Sequence, residues 1–262
     1  MFVKPFIIWD FDGTLVDSER FFKDIIYSYL QGRGYAKDLS KFSDYFYFKS
    51  MAGKPDGKMF EVMADAGIIE KNIVKPEIYD GDFFRYAEDR FKNIKLGELK
   101  LTKGMDKILD ALYQKYDMCI ATSAHRDDFL KKCYSVNNEI INGMRKFSAT
   151  EVPDDYKYLN FDKYKTKTKP NPSVFIYAFE NCKEVDYPDI FNNFTGKVVI
   201  FEDSKSGCEA GRNFKEFFKD TIVVGYIGGE HRPDGEELKK SGADYIVKDR
   251  KDVVDLFCNV VP

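Results

Sequence analysis

The sequence predicts an α/β protein with a doubly wound parallel sheet and a helical segment inserted after the first strand. Apolar segments of strand length alternate along the chain with amphipathic stretches of helical length, which is typical of such sheets. The predicted strands are Phe6–Trp9, Met118–Ala121, Val198–Phe201, Ile222–Gly225 and Tyr245–Val247. The predicted helices lie near Gly104–Tyr116, Asp127–Ser135, Pro172–Asn181 and Ser206–Phe218.

Residues 17–99 interrupt this alternation. Their apolar residues recur at helical spacing, as in the run from Phe21 to Leu30, and they contain no clear strand. Because the segment follows the first strand directly, we expect it to lie over the carboxyl end of that strand as a lid. The sequence therefore predicts two domains, a core of residues 1–16 and 100–262 and a helical cap of residues 17–99.

Composition limits the classes of protein and partner. The 262 residues are 44% hydrophobic, enough for a sizeable core, and the net charge of −3 argues against nucleic acid or an anionic membrane as the main partner. The 5 cysteines form no CxxC pair, which favours reduced thiols over a disulfide framework. The apolar run Pro5–Trp9 is too short for a signal peptide or a membrane span. We expect a soluble, cytoplasmic protein.

Two carboxylates follow the first predicted strand. Asp10 and Asp12 are two residues apart, so their side chains should point the same way at the carboxyl end of that strand. Open α/β sheets bind ligands at this edge. Two close carboxylates repel each other unless a cation or a shared proton relieves them. A hard divalent ion such as Mg²⁺, with phosphate as its partner, is the usual solution.

Three further features lie at strand ends or helix starts of the same predicted sheet. Thr122 and Ser123 follow the second strand and offer hydroxyls and backbone N–H groups to an anion. Lys169 lies in a stiff double-proline turn before a helix, and Glu202 and Asp203 form a second acidic pair after a strand. Each feature alone also fits a turn, a helix cap or a solvated side chain. Their order along one sheet favours a single phosphate and metal site.

The four features together resemble the motifs of the haloacid dehalogenase superfamily. Asp10–Ser18 is similar to its first motif, Thr122-Ser123 to its second, Lys169–Phe175 to its third and Phe201–Gly207 to its fourth. The resemblance covers the whole chain and implies a Rossmann-like core. The position of the helical segment resembles members with an α-helical cap, which include β-phosphoglucomutase and many sugar- and glycerol-phosphate phosphatases.

Two segments depart from that family pattern, and neither includes a motif residue. Glu151–Thr168 is polar and aperiodic, and we expect an extended surface loop there. Residues Glu184–Thr195 look like an extension. These departures leave the predicted chemistry intact.

The resemblance implies roles for the acidic residues. Asp10 would be the nucleophile that forms an aspartyl-phosphate, and Asp12 would be the general acid and base. Mg²⁺ would be held by the Asp10 carboxylate, the Asp12 backbone carbonyl and Asp203, with Glu202 as a further ligand or a neighbouring partner. Because haloacid dehalogenases and phosphonate hydrolases lack an acid at the position of Asp12, carbon–halogen and carbon–phosphorus cleavage are disfavoured.

The resemblance also implies how phosphate would be bound. Thr122 and the Ser123 backbone N–H would contact a phosphoryl oxygen, and Lys169 would pair with both the phosphate and the nucleophile. Lys54, in a turn of the cap, and Arg126, just after the second motif, are further candidates for substrate contact. Each of these two also fits an ordinary surface residue.

The function predicted from these observations is a Mg²⁺-dependent phosphatase that acts on a small phosphorylated metabolite, a sugar or polyol phosphate. A phosphomutase of the β-phosphoglucomutase type would use the same Asp10 and Asp12 and is the alternative, distinguished by a requirement for a bisphosphate. A non-enzymatic binding protein on the same fold is a third hypothesis. The retention of Asp10, Asp12, Lys169 and Asp203 argues against it.

Overall fold

A six-stranded parallel sheet forms the centre of the computed structural model. The structure describes residues 4–51, 54–159, 161–183, 194–229 and 234–261. The strands are β1 (Phe6–Trp9), β2 (Asp117–Thr122), β3 (Arg145–Ser148), β4 (Val198–Glu202), β5 (Thr221–Tyr226) and β6 (Tyr245–Val247). Their order across the sheet is β3-β2-β1-β4-β5-β6, which confirms the predicted doubly wound α/β fold.

The central position of β1 follows from its side chains, all of which are apolar and buried. Parallel sheets are covered on both faces, so their inner strands are hydrophobic throughout. Ile7 and Trp9 belong to the apolar cluster on one face, and Phe6 and Ile8 belong to the cluster on the other. Trp9 pairs in register with one residue of β2 and one of β4, so these three strands end within two residues of one another. Residues that follow them therefore meet at one edge.

Residues 17–99 are helical in the part that the structure describes, as predicted, and they contribute no strand to the sheet. The helices are α1 (Ser18–Arg33), α2 (Asp44–Ser50), α3 (Asp56–Asp65) and α4 (Phe84–Lys92), with a π-helical turn at Glu77–Phe83 before α4. Buried aromatic rings hold them together: the Tyr29 ring centroid lies 5.1 Å from that of Phe83 and 6.4 Å from that of Phe60.

This helical segment leaves the core and returns to it at one place. The Asp17 backbone N–H donates to the Lys100 carbonyl over 3.0 Å, and the Thr102 N–H donates to the Leu15 carbonyl over 2.9 Å. The two chain crossings are thus adjacent, which is consistent with an insertion after the first motif. The division into two domains at these positions remains a prediction.

The remaining helices flank the sheet. They are α5 (Met105–Leu112), α6 (Arg126–Val136), α7 (Glu139–Gly143), α8 (Phe161–Tyr164), α9 (Ser173–Lys183), α10 (Lys205–Phe214), α11 (Gly235–Ser241) and α12 (Arg250–Asn259). Among the described residues, no helix is both long and apolar enough to cross a lipid bilayer.

Two features differ from the sequence-based expectation. Strand β3 was not predicted, because only its last two residues are buried and its first two are basic. The expected loop over Glu151–Thr168 contains the short helix α8, and its Lys167 side chain bonds to the Val152 carbonyl and pairs with Asp154. The expected extension at Glu184–Thr195 lies, except for its last two residues, outside the described residues.

Candidate active site

The carboxyl ends of β1, β2 and β4 open into a cavity of about 940 Å³. The predicted site residues that line it are Asp10, Asp12, Thr122, Ser123, Lys169 and Asp203. Side chains of α1 and α2, namely Ser18, Glu19 and Phe48, line the same cavity. The helical segment therefore lies over the carboxyl end of β1, as expected from its place in the sequence.

Lys169 connects two acidic side chains at the floor of this cavity. Its Nζ lies 2.5 Å from Asp10 Oδ1 and 2.6 Å from Glu202 Oε1, and it donates to the Ala121 carbonyl over 3.1 Å. The Lys169 side chain is only 4% exposed and that of Glu202 is fully buried. A buried charge is stable only when it is paired and hydrogen-bonded, so each of these groups depends on the others.

The burial of this cluster changes the pKa values of its members. Burial and the charge of Glu202 raise the pKa of Asp10 well above its ordinary value, although Lys169 acts in the opposite direction. Burial lowers the pKa of Lys169, but the charges of Asp10 and Glu202 outweigh it and raise that pKa overall. One ammonium group thus faces more negative charge than it can neutralise, and an additional cation would relieve the excess.

The donor set fits a hard divalent cation. Asp10, Glu202 and Asp203 each offer a carboxylate oxygen, and these atoms lie within 4.8 Å of one another. Oxygen ligands are those that Mg²⁺ prefers. Glu202 faces Lys169 with Oε1, and its Oε2 accepts from the Asp203 and Ser204 N–H groups. Asp10 and Asp203 are therefore the carboxylates better suited to bind metal, while Glu202 anchors Lys169.

The loop after β4 is built around the Glu202 carboxylate. Ser204 caps α10 by accepting a hydrogen bond from the Gly207 N–H over 3.0 Å, and its hydroxyl donates to Glu202 over 3.1 Å. A Cβ atom at Gly207 would overlap the Glu202 carboxylate. The glycine is thus needed so that the first turn of α10 can approach this buried acid.

The loop after β2 provides hydroxyl groups at the start of α6. Thr122 Oγ1 accepts from the Ala124 N–H over 3.1 Å, and Ser123 Oγ accepts from the Lys169 N–H over 3.1 Å. Ser123 thereby fixes the backbone of the turn that carries Lys169. The same loop offers polar groups to an anion in the cavity.

Sequence reasoning did not single out Glu19 and Phe48, which line the cavity, or Lys132, which contacts Asp12. Lys132 Nζ donates to Asp12 Oδ1 over 2.7 Å. Burial opposes ionisation of Asp12, but the charge of Lys132 and hydrogen bonds from Lys132 and Ser18 outweigh it and lower the pKa of that carboxyl. The available signal was the position of Lys132 three residues after the apolar Phe129, which places both on one face of α6.

Two candidates for substrate contact lie elsewhere. Lys54 is exposed, and its Nζ donates to the Ser50 carbonyl. The Arg126 guanidinium lies 2.8 Å from the Glu151 carboxylate and donates to the Lys146 carbonyl over 2.6 Å. Neither residue lines the cavity, so the geometry gives no support to the substrate-binding roles expected for them.

Comparisons with known proteins agree on one family. The family model for haloacid dehalogenase-like hydrolases matches residues 7–217. A phosphorylated carbohydrates phosphatase from Thermotoga maritima is 24% identical over 248 residues, covering 92% of this chain and 93% of the relative.

Solved structures share the fold. A conserved haloacid dehalogenase-like protein from Agrobacterium tumefaciens superimposes with a TM-score of 0.64 at 20% identity, covering 99% of this chain and 100% of that one. A protein from T. maritima, assigned provisionally as a β-phosphoglucomutase, gives a TM-score of 0.61 at 21% identity, covering 98% of this chain and 100% of that one.

We predict that Gly207→Ala destabilises the protein by about 1–3 kcal/mol, because the added methyl group must displace the buried Glu202 carboxylate. The free energy of unfolding in urea measures this. Gly32→Ala in α1 is the matched control, since no atom lies within 4 Å of the added Cβ. The control should change stability by no more than about 1 kcal/mol, in the stabilising direction. Equal stability of the two variants would contradict the close approach at Gly207.

Proposed function

This chain belongs to the haloacid dehalogenase-like hydrolases, and from that membership we propose that it is a Mg²⁺-dependent phosphatase of a small sugar or polyol phosphate. The observation that carries the proposal is the buried Lys169 between Asp10 and Glu202, beside Asp203 and open to the cavity. Phosphoryl transfer requires that a carboxylate nucleophile and an anionic phosphate be brought together, which needs concentrated positive charge. The phosphatase relative supports the same reaction class.

In the first half of the proposed reaction, an oxygen of Asp10 attacks phosphorus and the bond from phosphorus to the ester oxygen breaks. The protonated form of Asp12, which Lys132 makes the minor form in the free protein, gives its proton to the departing oxygen. Lys169 holds the Asp10 carboxylate toward the cavity through its contact with Oδ1. When bound, Mg²⁺ neutralises charge on the phosphoryl oxygens and favours the ionised form of Asp10.

In the second half, a water oxygen attacks the phosphorus of the aspartyl-phosphate and the bond to Asp10 breaks. Asp12 takes the proton from the water, which restores both carboxyl groups to their starting states. Thr122, at the end of β2, and Ser123, in the loop that leads into α6, line the cavity and would hold the phosphoryl oxygens while the bonds change.

The acidic side chains of the lining favour a substrate with hydroxyl groups. Glu19 lines the cavity, and the Tyr47 hydroxyl donates to its carboxylate over 2.7 Å. Glu237 also lines the cavity and pairs with Lys205 over 2.8 Å. A sugar or polyol hydroxyl can donate to the Glu19 carboxylate, whereas a substrate carboxylate at the same place would be repelled.

We predict that the wild-type protein releases phosphate from small phosphomonoesters with Mg²⁺ and that a chelator abolishes the release. Asp10→Asn should lower turnover at least about 1,000-fold because it removes the nucleophile. Asp110→Asn, at an exposed position of α5, is the control and should retain wild-type activity. Undiminished turnover by Asp10→Asn would contradict the mechanism. If no phosphomonoester of the panel releases phosphate, but the protein isomerises a sugar phosphate when a bisphosphate primer is added, a phosphomutase is favoured.

We predict that Glu19→Gln changes the choice of substrate. Relative to the wild type, the ratio of kcat/KM for 3-phosphoglycerate to that for glycerol phosphate should rise about 10-fold, because a repelling charge is lost and a charge-assisted hydrogen bond is weakened. Steady-state kinetics with both esters measure the ratio. Glu61→Gln, exposed on α3, should leave the ratio unchanged. An unchanged ratio in Glu19→Gln would show that substrate hydroxyls are not recognised at this position.

A further inference from the structure

We propose that Lys132 is a positioning residue that orients the Asp12 carboxylate and links it to the helical segment above the cavity. The inference rests on the proposed function, since it concerns proton transfer by Asp12 to the leaving oxygen. Lys132 lies on α6 and belongs to none of the four motifs.

Helix α6 is held against the loop that carries the two aspartates. The Phe129 ring is fully buried and meets the Phe11 ring edge-on, with centroids 4.9 Å apart. Phe11 lies between Asp10 and Asp12 in the sequence. Because residues three apart lie on one face of a helix, Lys132 faces the same loop as Phe129. The packing of one ring therefore directs the lysine toward Asp12.

The contact between Lys132 and Asp12 is sheltered from solvent. Nζ and Oδ1 are 2.7 Å apart, and the two side chains are 15% and 30% exposed. Charge-assisted hydrogen bonds of this length are stronger and better aligned than exposed pairs, which are weakened by water and salt. The bond fixes one oxygen of a carboxylate that lines the cavity.

The same ammonium group also contacts the helical segment. Lys132 Nζ lies 5.3 Å from the centroid of the Phe91 ring of α4, within the range of a cation–π interaction. Phe91 in turn packs against Phe21 and Phe22 of α1, at centroid distances of 5.4 Å and 6.4 Å. Lys132 thus touches the acid on one side and the packed aromatic face of residues 17–99 on the other. The orientation of Asp12 depends on the position of that face.

This arrangement has a specific chemical consequence. A general acid must be aligned with the departing oxygen as the bond breaks, and small misplacements reduce the rate steeply. An alkyl ester needs that proton because an alkoxide leaves poorly. A p-nitrophenyl ester needs little assistance because its phenolate is stable. Loss of Lys132 should therefore affect the two esters differently, which a general loss of structure would not do.

The experiment compares kcat/KM for glycerol phosphate and p-nitrophenyl phosphate in wild type and Lys132→Met, with Mg²⁺ present. For the variant we expect a fall of about 10- to 100-fold with glycerol phosphate and of less than about 3-fold with p-nitrophenyl phosphate. Lys131→Met, the neighbouring lysine, should match the wild type with both esters. Lys132→Arg keeps a cation and should recover most of the lost activity.

A second variant tests the link to the helical segment. Phe91→Leu keeps an apolar side chain but removes the ring that contacts Lys132. It should reduce kcat/KM selectively for glycerol phosphate, by a smaller factor than Lys132→Met does. An equal fall with both esters, or no fall in Lys132→Met, would overturn the inference while leaving the proposed function standing. Absence of phosphate release by the wild type from p-nitrophenyl phosphate and from every alkyl ester of the panel would overturn the proposed function, and the inference with it.

Discussion

The buried Lys169 constrains much of the structure around it. Its ammonium group must be matched by carboxylates, and Asp10 and Glu202 meet it from the ends of two neighbouring strands. That meeting requires β1 and β4 to end within two residues of one another, which their parallel register provides. It also requires space beside Glu202, which Gly207 leaves open. The excess negative charge that remains is the physical reason why this site should bind a metal ion and an anionic substrate together.

The helical segment does more than cover the cavity. Ser18, Glu19 and Phe48 line part of the cavity, so residues outside the sheet can contact a substrate there. The Phe91 ring contacts the Lys132 ammonium group, which donates a hydrogen bond to Asp12. In the proposed mechanism, residues 17–99 supply a substrate contact through Glu19 and help to align the acid through Phe91 and Lys132.

Much of this could be predicted because the signals are local in the sequence. The apolar segments identified five of the strands, and the acidic pairs, hydroxyls and lysine at their ends identified six of the residues that line the cavity. The sequence did not predict strand β3, because the strand begins with the basic residues Arg145 and Lys146 and only its last two residues are buried. The contact of Lys132 with Asp12 could not be predicted, because a lysine on an amphipathic helix is usually solvated. Only the packing of Phe129 on Phe11 shows that Lys132 faces the loop that carries Asp12. Arg126 looked available for substrate, but it is engaged by Glu151, which is distant in the sequence.

In the proposed reaction, Asp10 carries the phosphoryl group during turnover. The most direct measurement is to quench the wild-type protein in acid during steady-state hydrolysis of glycerol phosphate, digest it, and locate any phosphoryl group by peptide mass spectrometry. We expect one phosphorylated peptide, with the phosphoryl group on Asp10 and removable by hydroxylamine, as for an acyl phosphate. Continued turnover with no phosphorylated peptide, or with the group on another residue, would contradict it.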